Sequence, residues 1–599
     1  MLIPRPHEIK KSGSILKNKA IGKVENAFSP LLFRHYKDMI LADDSSPTIL
    51  EIKQDLSVEN EEEYHLIIQE DRIQIISKTE KAAFYGLVTL KQLQSEQIET
   101  QEIKDKPDLE VRGLMLDISR AKVLNVSSIK KIIDLMAELK YNHLELYVEG
   151  FSYEYKNIKE ALADKNYLTQ EEYLEVEKYA IEKYIDFVPN QNGFGHMSDW
   201  LALDKFKELA ECPDGFEIWG SKRPPSTLDP TNPKSFELVK QMYEEMIPFT
   251  KSKYFNMNFD EPYELGHGKS KQECLKTSTE DVYIEYLEKL ANVVRKYNKT
   301  PMIWGDVLVK HPDKISKLSK DIVFIDWGYN KAYDFVNHAK MLEELKVKYL
   351  LAPGTSTWSS ITGRFIDMKE TIENSTYASK KYHGLGILLT DWGDMGHLQY
   401  LPSSYLGFIY GAMLSWSSGT IEDAEKYLAI ILNDEILAKV IVELSRYHEL
   451  EGEYRDYGTR LFASIMWAEH GKRQDDKVNF FLNRMKSNII SYEAVQNLHK
   501  LFTQEKNKLQ NAKECLEKDE IENAILLLET LLDINERLHS YLDNCVVNFD
   551  EPIKNLEKYL ENHKKLWLAR NIKEGYAFSA NRINWLIEML MCLDRKEKI

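Results

Sequence analysis

The most restrictive feature of this sequence is a long alternation between short apolar runs and amphipathic helical patterns over residues 106–420. Near-continuous apolar strands that alternate with helices are typical of parallel strands covered on both faces. Eight such units favour a (β/α)8 barrel, an α/β fold, over an open sheet. The eight runs are VRGLMLDI, HLELYVE, IDFVPN, YFNMNFD, PMIWGD, IVFIDW, KYLLAPG and GILLTDW.

The segments on either side of this region have different patterns. Residues 1–105 combine alternating runs, such as YHLIIQ and RIQIIS, with one amphipathic stretch, which predicts a small N-terminal α+β domain. Residues 421–599 carry long Leu-, Glu- and Lys-rich amphipathic patterns, which predict a C-terminal all-helical domain. We expect these helices to pack rather than to bind a ligand, and their length leads us to predict a homodimer.

Composition excludes several classes of partner. The chain has 79 Lys and Arg against 96 Asp and Glu, and the net charge of −17 repels phosphate backbones and anionic lipids. Its 5 cysteines are scattered without a CxxC pair, which indicates a reducing compartment. The N-terminal segment lacks the apolar core of a secretory signal, and we find no transmembrane-length apolar run. We therefore expect a cytoplasmic protein without nucleic-acid or membrane partners.

Polar and aromatic residues cluster where the predicted strands end, which is where active sites of this fold lie. In FNMNFDEPYELG, a strand runs directly into Asp260 and Glu261. Adjacent carboxylates repel, so we expect the less solvated one to have a raised pKa, as a general acid requires. The 33 Tyr and 10 Trp favour sugar ligands, because flat amphipathic rings stack on sugar faces.

These segments together resemble glycoside hydrolase family 20, the β-N-acetylhexosaminidases. VRGLMLDISR is similar to the opening barrel strand of the family, FVPNQNGFGHM to its third-strand segment, and FNMNFDEP to the strand with its Asp-Glu pair. PMIWGD, FIDWGY and LLTDWGD resemble its later Trp-bearing strands. The resemblance covers about residues 1–420 and is greatest to a bacterial, signal-less N-acetylglucosaminidase branch with a helical C-terminal domain.

The resemblance implies an exo-acting enzyme that releases terminal GlcNAc, with GalNAc as a further candidate, by substrate-assisted catalysis with retention. In this scheme the acetamido oxygen of the substrate is the nucleophile, so a second facing carboxylate is not needed. Glu261 matches the general acid/base, and Asp260 matches the residue that orients the acetamido group and stabilises the oxazolinium intermediate. No cofactor is implied, and the His residues lack metal-ligand spacing.

Further residues match substrate-binding positions of the family. Their implied roles are the aromatic walls (Trp304, Trp327 and Trp392), the hydroxyl-binding pair (Arg112 and Asp394), and the network around the acid (His196 and Glu149). Either Tyr329 or Trp358 is the candidate donor to the acetamido carbonyl, where many members have a Tyr on strand seven. The third-strand segment departs from the family pattern, because Asn190, Gln191 and Asn192 stand where acidic residues are usual.

Two alternatives remain open at this point. One is a retaining barrel glycosidase with two enzyme carboxylates, Glu261 with Asp391 or Glu149, which would accept glucosides lacking the acetamido group. The other is a non-catalytic, sugar-binding scaffold protein, which would bind without turnover. The sequence leaves the natural glycan and its linkage open.

Overall fold

The computed structural model of the chain describes residues 1–95, 97–163, 165–219, 221–466, 477–543 and 545–596. The N-terminal part is a six-stranded mixed sheet in the order β1-β6-β4-β5-β3-β2 with two helices against it. Its elements are β1 (Glu8–Ile15), β2 (Lys23–Asn26), α1 (Pro30–Met39), β3 (Ile49–Gln54), β4 (Tyr64–Ile68), β5 (Arg72–Ser77), α2 (Glu80–Leu93) and β6 (Glu99–Asp105).

The central part is an eight-stranded parallel barrel, which confirms the predicted fold class. Neighbouring strands pair in parallel throughout, and a parallel bridge between Asn190 and Asn256 joins the two ends of the sheet. The barrel strands are β7 (Val111–Asp117), β8 (His143–Tyr147), β9 (Asp186–Val188), then, after a short hairpin of β10 (Phe216–Ile218) and β11 (Ser221–Arg223), β12 (Tyr254–Asn256), β13 (Thr300–Trp304), β14 (Val323–Trp327), β15 (Lys348–Ala352) and β16 (Gly386–Asp391).

Helices cover the outside of the barrel, and local capping fixes several of their starts. Thr169 and Glu172 form a capping box at the start of the helix that follows β8, so the orphan N–H groups of its first turn are satisfied. These helices are α3 (Val126–Glu138), α4 (Gln170–Glu182), α5 (Ser198–Leu201), α6 (Pro233–Met246), α7 (Lys271–Lys276), α8 (Thr279–Lys296), α9 (Pro312–Ile315), α10 (Phe335–Glu344), α11 (Phe365–Lys381) and α12 (Tyr405–Trp416).

The C-terminal part is helical and packs against loops at the C-terminal rim of the barrel. Arg570 O accepts a hydrogen bond from Asn125 N at 2.9 Å, and His563 Nδ1 lies 2.8 Å from the hydroxyl of Tyr400. Its helices are α13 (Ile421–Leu432), α14 (Glu435–Ser445), α15 (Arg460–Met466), α16 (Lys477–Asn488), α17 (Tyr492–Leu509), α18 (Leu516–Leu542), α19 (Asp550–Arg570) and α20 (Tyr576–Lys596). None of the described helices is both long and apolar enough to cross a membrane. The homodimer stays a prediction.

Candidate active site

The C-terminal ends of β8, β9 and β12 bring four of the predicted residues together. Glu149 follows β8, His196 follows β9, and Asp260 and Glu261 follow β12. His196 Nδ1 lies 3.2 Å from Glu149 Oε2, and its Nε2 lies 3.3 Å from both Asp260 Oδ2 and Glu261 Oε2. One imidazole therefore lies within ion-pair distance of three carboxylates.

The backbone at this point adopts conformations that are rare for residues with a side chain. Asn258, Phe259 and Glu261 all have positive φ, at 60°, 72° and 49°. The backbone of residue 195 also approaches closely, because a Cβ on Gly195 would lie 2.0 Å from Asp260 O. Such strain costs free energy, persists only where the surroundings over-determine it, and is concentrated at functional sites. Here it accompanies a turn that brings both carboxylates of the Asp-Glu pair to His196.

The charges of this cluster are strongly coupled. Burial lowers the pKa of His196, but Asp260 and Glu149 raise it to well above its usual 6.5, so the imidazole carries a proton at neutral pH. Burial raises the pKa of Glu149, yet Arg120 and His196 hold it down at about 2. His196 is thus a protonated bridge between Glu149 and the adjacent pair.

The expectation that repulsion raises a pKa within the pair is wrong for Glu261. Burial alone would raise the pKa of Glu261, but hydrogen bonding and the positive charge of His196 lower it below the ordinary value. The raised pKa belongs to Asp306, which burial together with Asp260 and Glu261 moves to about 7. Asp306 Oδ2 accepts a hydrogen bond from Glu261 N at 3.1 Å. The sequence cannot show which carboxyl group has the raised pKa, because the interacting side chains follow three different strands.

The arginine at the site is Arg120, which the sequence analysis did not single out. Its Nη2 lies 3.2 Å from Glu149 Oε2, its Nη1 3.2 Å from Asp117 Oδ2, and its Nε 3.5 Å from Asp394 Oδ1. Burial, with help from Glu149 and Asp394, raises the pKa of Asp117 to about 6 although Arg120 opposes the change. The position of Arg120 in the sequence could have indicated its role, because it follows the end of β7 and site residues of a barrel lie at strand ends.

The prediction that Arg112 binds substrate is corrected by its location. Arg112 lies at the start of β7, at the opposite end of the barrel, and is 1% exposed. Its Nη1 lies 2.7 Å from Glu62 Oε2 and 2.9 Å from Leu109 O, while its Nε donates to Lys140 O at 2.9 Å. These contacts join the barrel to the N-terminal domain, and the guanidinium is fully engaged there.

The predicted aromatic residues form one connected cluster inside the C-terminal end of the barrel. The ring of Trp392 lies 5.9 Å from Trp304, and its Nε1 donates to Tyr329 OH at 2.8 Å. Tyr329 stacks on Trp327 at 5.1 Å and meets Trp358 edge-on at 5.0 Å. The structure thus brings both candidate donors to the acetamido carbonyl into this cluster, and the choice between them stays a prediction.

The amides of the third-strand segment form hydrogen bonds inside the barrel, and one of them reaches Asp260. Asn192 Nδ2 donates to Asp260 Oδ1 at 2.7 Å, and Asn190 Nδ2 donates to Glu145 Oε2 at 2.7 Å. Tyr155 donates a hydrogen bond to Gln191 Oε1. An amide can donate to a carboxylate where an ionised acid cannot, so Asn192 fixes the orientation of Asp260 without adding negative charge.

Metal binding finds no support in the described part of the chain. Within residues 1–95, 97–163, 165–219, 221–466, 477–543 and 545–596, no three His, Cys, Asp or Glu side chains form a group that could hold an ion. Carboxylates at the rim instead form ion pairs with Arg120 and His196. A (β/α)8 barrel with paired carboxylates and an aromatic lining at this rim places the chain in the class of barrel glycoside hydrolases.

Comparison with known families identifies the particular group. The model of the Glycosyl hydrolase family 20 catalytic domain matches residues 110–358, and the model of domain 2 of the same family matches residues 17–106. The chain therefore belongs to glycoside hydrolase family 20. The matched ranges include Arg120, Glu149, His196 and the Asp260–Glu261 pair.

Individual relatives are distant, and the match to the curated ones covers only part of each chain. A Beta-hexosaminidase subunit A2 of Dictyostelium discoideum is 27% identical over 48% of this chain, and a Beta-hexosaminidase of Porphyromonas gingivalis is 26% identical over 41%. The chain spans 56% and 36% of the lengths of these two proteins. The structure of Flavobacterium johnsoniae chitobiase is 20% identical, with a TM-score of 0.58 over 97% of this chain and 99% of that one. This last likeness shows a shared fold.

Proposed function

We propose that this chain is an exo-acting β-N-acetylhexosaminidase that releases terminal non-reducing GlcNAc with retention, GalNAc being a second candidate substrate. The observation that carries the proposal is the joint contact of His196 with Asp260 and Glu261, 3.3 Å from a carboxylate oxygen of each. Membership of family 20 and the named Beta-hexosaminidase relatives support it.

The first step is an intramolecular nucleophilic attack within the substrate. The acetamido oxygen attacks the anomeric carbon while Asp260, aligned by Asn192, accepts a hydrogen bond from the acetamido N–H and stabilises the positive oxazolinium ion. The bond from the anomeric carbon to the glycosidic oxygen breaks, and Glu261 gives that oxygen a proton. Water then attacks the same carbon and gives a proton to Glu261, while the bond from that carbon to the acetamido oxygen breaks; two inversions give net retention.

The proton on His196 reconciles this role with the lowered pKa of Glu261. His196 Nε2 lies 3.3 Å from Glu261 Oε2, close enough for the imidazole to resupply a proton to Glu261 as the leaving group takes one. Arg120 and Asp394, which lie side by side at the rim, supply opposite charges for the distal sugar hydroxyls. The aromatic cluster of Trp304, Tyr329 and Trp392 encloses the acetamido methyl.

Two substitutions test the assignment on a chromogenic N-acetylglucosaminide. We expect Glu261→Gln to lower kcat by about 10²–10⁴-fold, because it removes the proton donor while keeping the shape. Asp260→Asn should lower kcat by about 10²-fold or more and weaken inhibition by a thiazoline that mimics the cyclised intermediate. The control is the circular dichroism melting temperature, which should change little in either variant.

A second panel separates the alternatives. Hydrolysis of glucosides at a rate equal to that of N-acetylglucosaminides would favour the enzyme with two facing carboxylates. Binding of sugar without any turnover would favour the non-catalytic scaffold. Asp391, one candidate for the second carboxylate, accepts hydrogen bonds on its Oδ1 from Thr355 at 2.6 Å, Ser404 at 2.8 Å and Thr357 at 3.0 Å, which speaks against its use as a nucleophile.

A further inference from the structure

Two aromatic rings extend from the proposed proton donor towards the protein surface. Tyr263 lies two residues after Glu261 and shares a side-chain hydrogen bond with it. The centroid of the Trp219 ring is 5.1 Å from that of Tyr263, with the rings at 77° to each other. Trp219 occupies the turn between β10 and β11. A continuous path of contacts therefore leads from Glu261 through Tyr263 to Trp219.

Trp219 is poorly explained by packing. Its side chain is 63% exposed, whereas Trp residues are on average largely buried. Its backbone has a φ of 51°, a conformation that is uncommon for a bulky residue. The guanidinium carbon of Arg223 lies over the ring, 5.4 Å from its centroid, and the side chain keeps its 63% exposure with this contact in place. The hairpin thus presents an aromatic surface at the rim of the barrel.

The proposed role of Glu261 indicates which part of the substrate contacts Tyr263 and Trp219. In the proposed reaction Glu261 contacts the glycosidic oxygen, which joins the sugar being released to the group that departs. The sugar being released is held by Asp260, Arg120 and the aromatic cluster, so rings that continue outward from Glu261 are placed to meet the departing group. An exposed indole suits a pyranose, whose C–H face stacks on aromatic rings.

We propose that Trp219 and Tyr263 form a binding site for the leaving group, and that this site favours substrates whose leaving group is itself a sugar ring. The inference rests on the proposed function and adds the substrate class to it.

The test compares two substrates that share the same GlcNAc. Diacetylchitobiose has a sugar as its leaving group, and N-acetylglucosaminyl fluoride has no ring there. We divide kcat/KM for the disaccharide by kcat/KM for the fluoride. In Trp219→Ala we expect this ratio to be about tenfold lower than in the unsubstituted protein. Trp219→Phe, which keeps a ring, should restore most of the ratio. As a matched control, Tyr492→Ala removes an aromatic ring that is 64% exposed on the C-terminal helix α17, and should leave both rates unchanged.

Each outcome decides between the two proposals. An unchanged ratio in Trp219→Ala, or equal losses on both substrates, would overturn the leaving-group site while leaving the hydrolase assignment intact. If the unsubstituted protein hydrolyses neither substrate, the proposed function fails and the leaving-group site fails with it. A lower ratio in Tyr492→Ala would also count against the site, because the effect would then be unrelated to Trp219.

Discussion

Two arginines at opposite ends of β7 illustrate how differently the two ends of the barrel use buried charge. Arg112 at the start of β7 pairs with Glu62 at 2.7 Å, and nearby Lys140 Nζ lies 3.3 Å from Asp105 Oδ2. Each positive charge has one acidic partner, and both pairs join the barrel to the N-terminal domain. Arg120, just beyond the end of β7, faces three carboxylates at once.

The two ends of the barrel differ in the ratio of basic to acidic side chains. At the C-terminal end, Arg120 and His196 lie among six carboxyl groups, namely those of Asp117, Glu149, Asp260, Glu261, Asp306 and Asp394. Such an excess of buried acid costs stability and perturbs pKa values in both directions, which is characteristic of functional sites. In this barrel the crowded carboxyl groups lie at the end that carries the candidate active site, and Arg112 and Lys140 lie at the junction with the N-terminal domain.

The largest effect that tests this contrast comes from truncating each arginine. Arg120→Ala should reduce kcat/KM on an N-acetylglucosaminide about 100-fold, because Glu149 and Asp394 lose their common partner. Arg112→Ala should instead lower the free energy of unfolding by about 3–5 kcal/mol, because it leaves Glu62 buried without its arginine. Activity assays and urea unfolding of both variants check this, and a large loss of activity per folded molecule in Arg112→Ala would contradict it.

An intermediate effect is expected from adding one more carboxyl group at the C-terminal end of the barrel. Asn192→Asp replaces the amide that donates to Asp260 with a like charge, which should raise the pKa of the neighbouring carboxylates. The acidic limb of the kcat/KM profile should then move to higher pH by about one unit, and activity at neutral pH should fall about tenfold. Asn292→Asp, on the exposed side of α8, adds the same charge elsewhere and should leave the profile in place.

The smallest effect concerns the pH dependence of stability at the start of β7, where Arg112 pairs with Glu62. Burial raises the pKa of Glu62, but Arg112 and Lys81 outweigh it and hold the pKa at about 2, below the usual 4.5. A depressed acid stabilises the fold above its unfolded pKa, so this contribution to the free energy of unfolding should be present above pH 4.5 and should disappear as the pH falls towards 2. Glu62→Gln should show a flatter dependence over this window in urea unfolding. Glu61→Gln, the exposed neighbour, should match the unsubstituted protein.

Much of the fold and part of the site were predictable from the sequence. The eight apolar runs and their intervening helical patterns predicted the barrel, because burial on both faces imposes a local periodicity that can be seen along the chain. The predicted domain limits of 1–105, 106–420 and 421–599 stay predictions, although β6 ends at Asp105 and α13 begins at Ile421. The pairing of Asp260 with Glu261 was also accessible, because the two are covalent neighbours at a strand end.

The order of strands and helices and the adjacency of Asp260 and Glu261 can be read along the chain, since both follow from short-range pattern. Three features required the folded structure: Arg120 rather than Arg112 reaches the candidate site, His196 lies beside both Asp260 and Glu261, and Trp219 is exposed beside Tyr263. The folded structure also decided which carboxyl groups have raised pKa values. The physical reason is that burial and charge at one point depend on side chains from distant strands, whose approach no local pattern records.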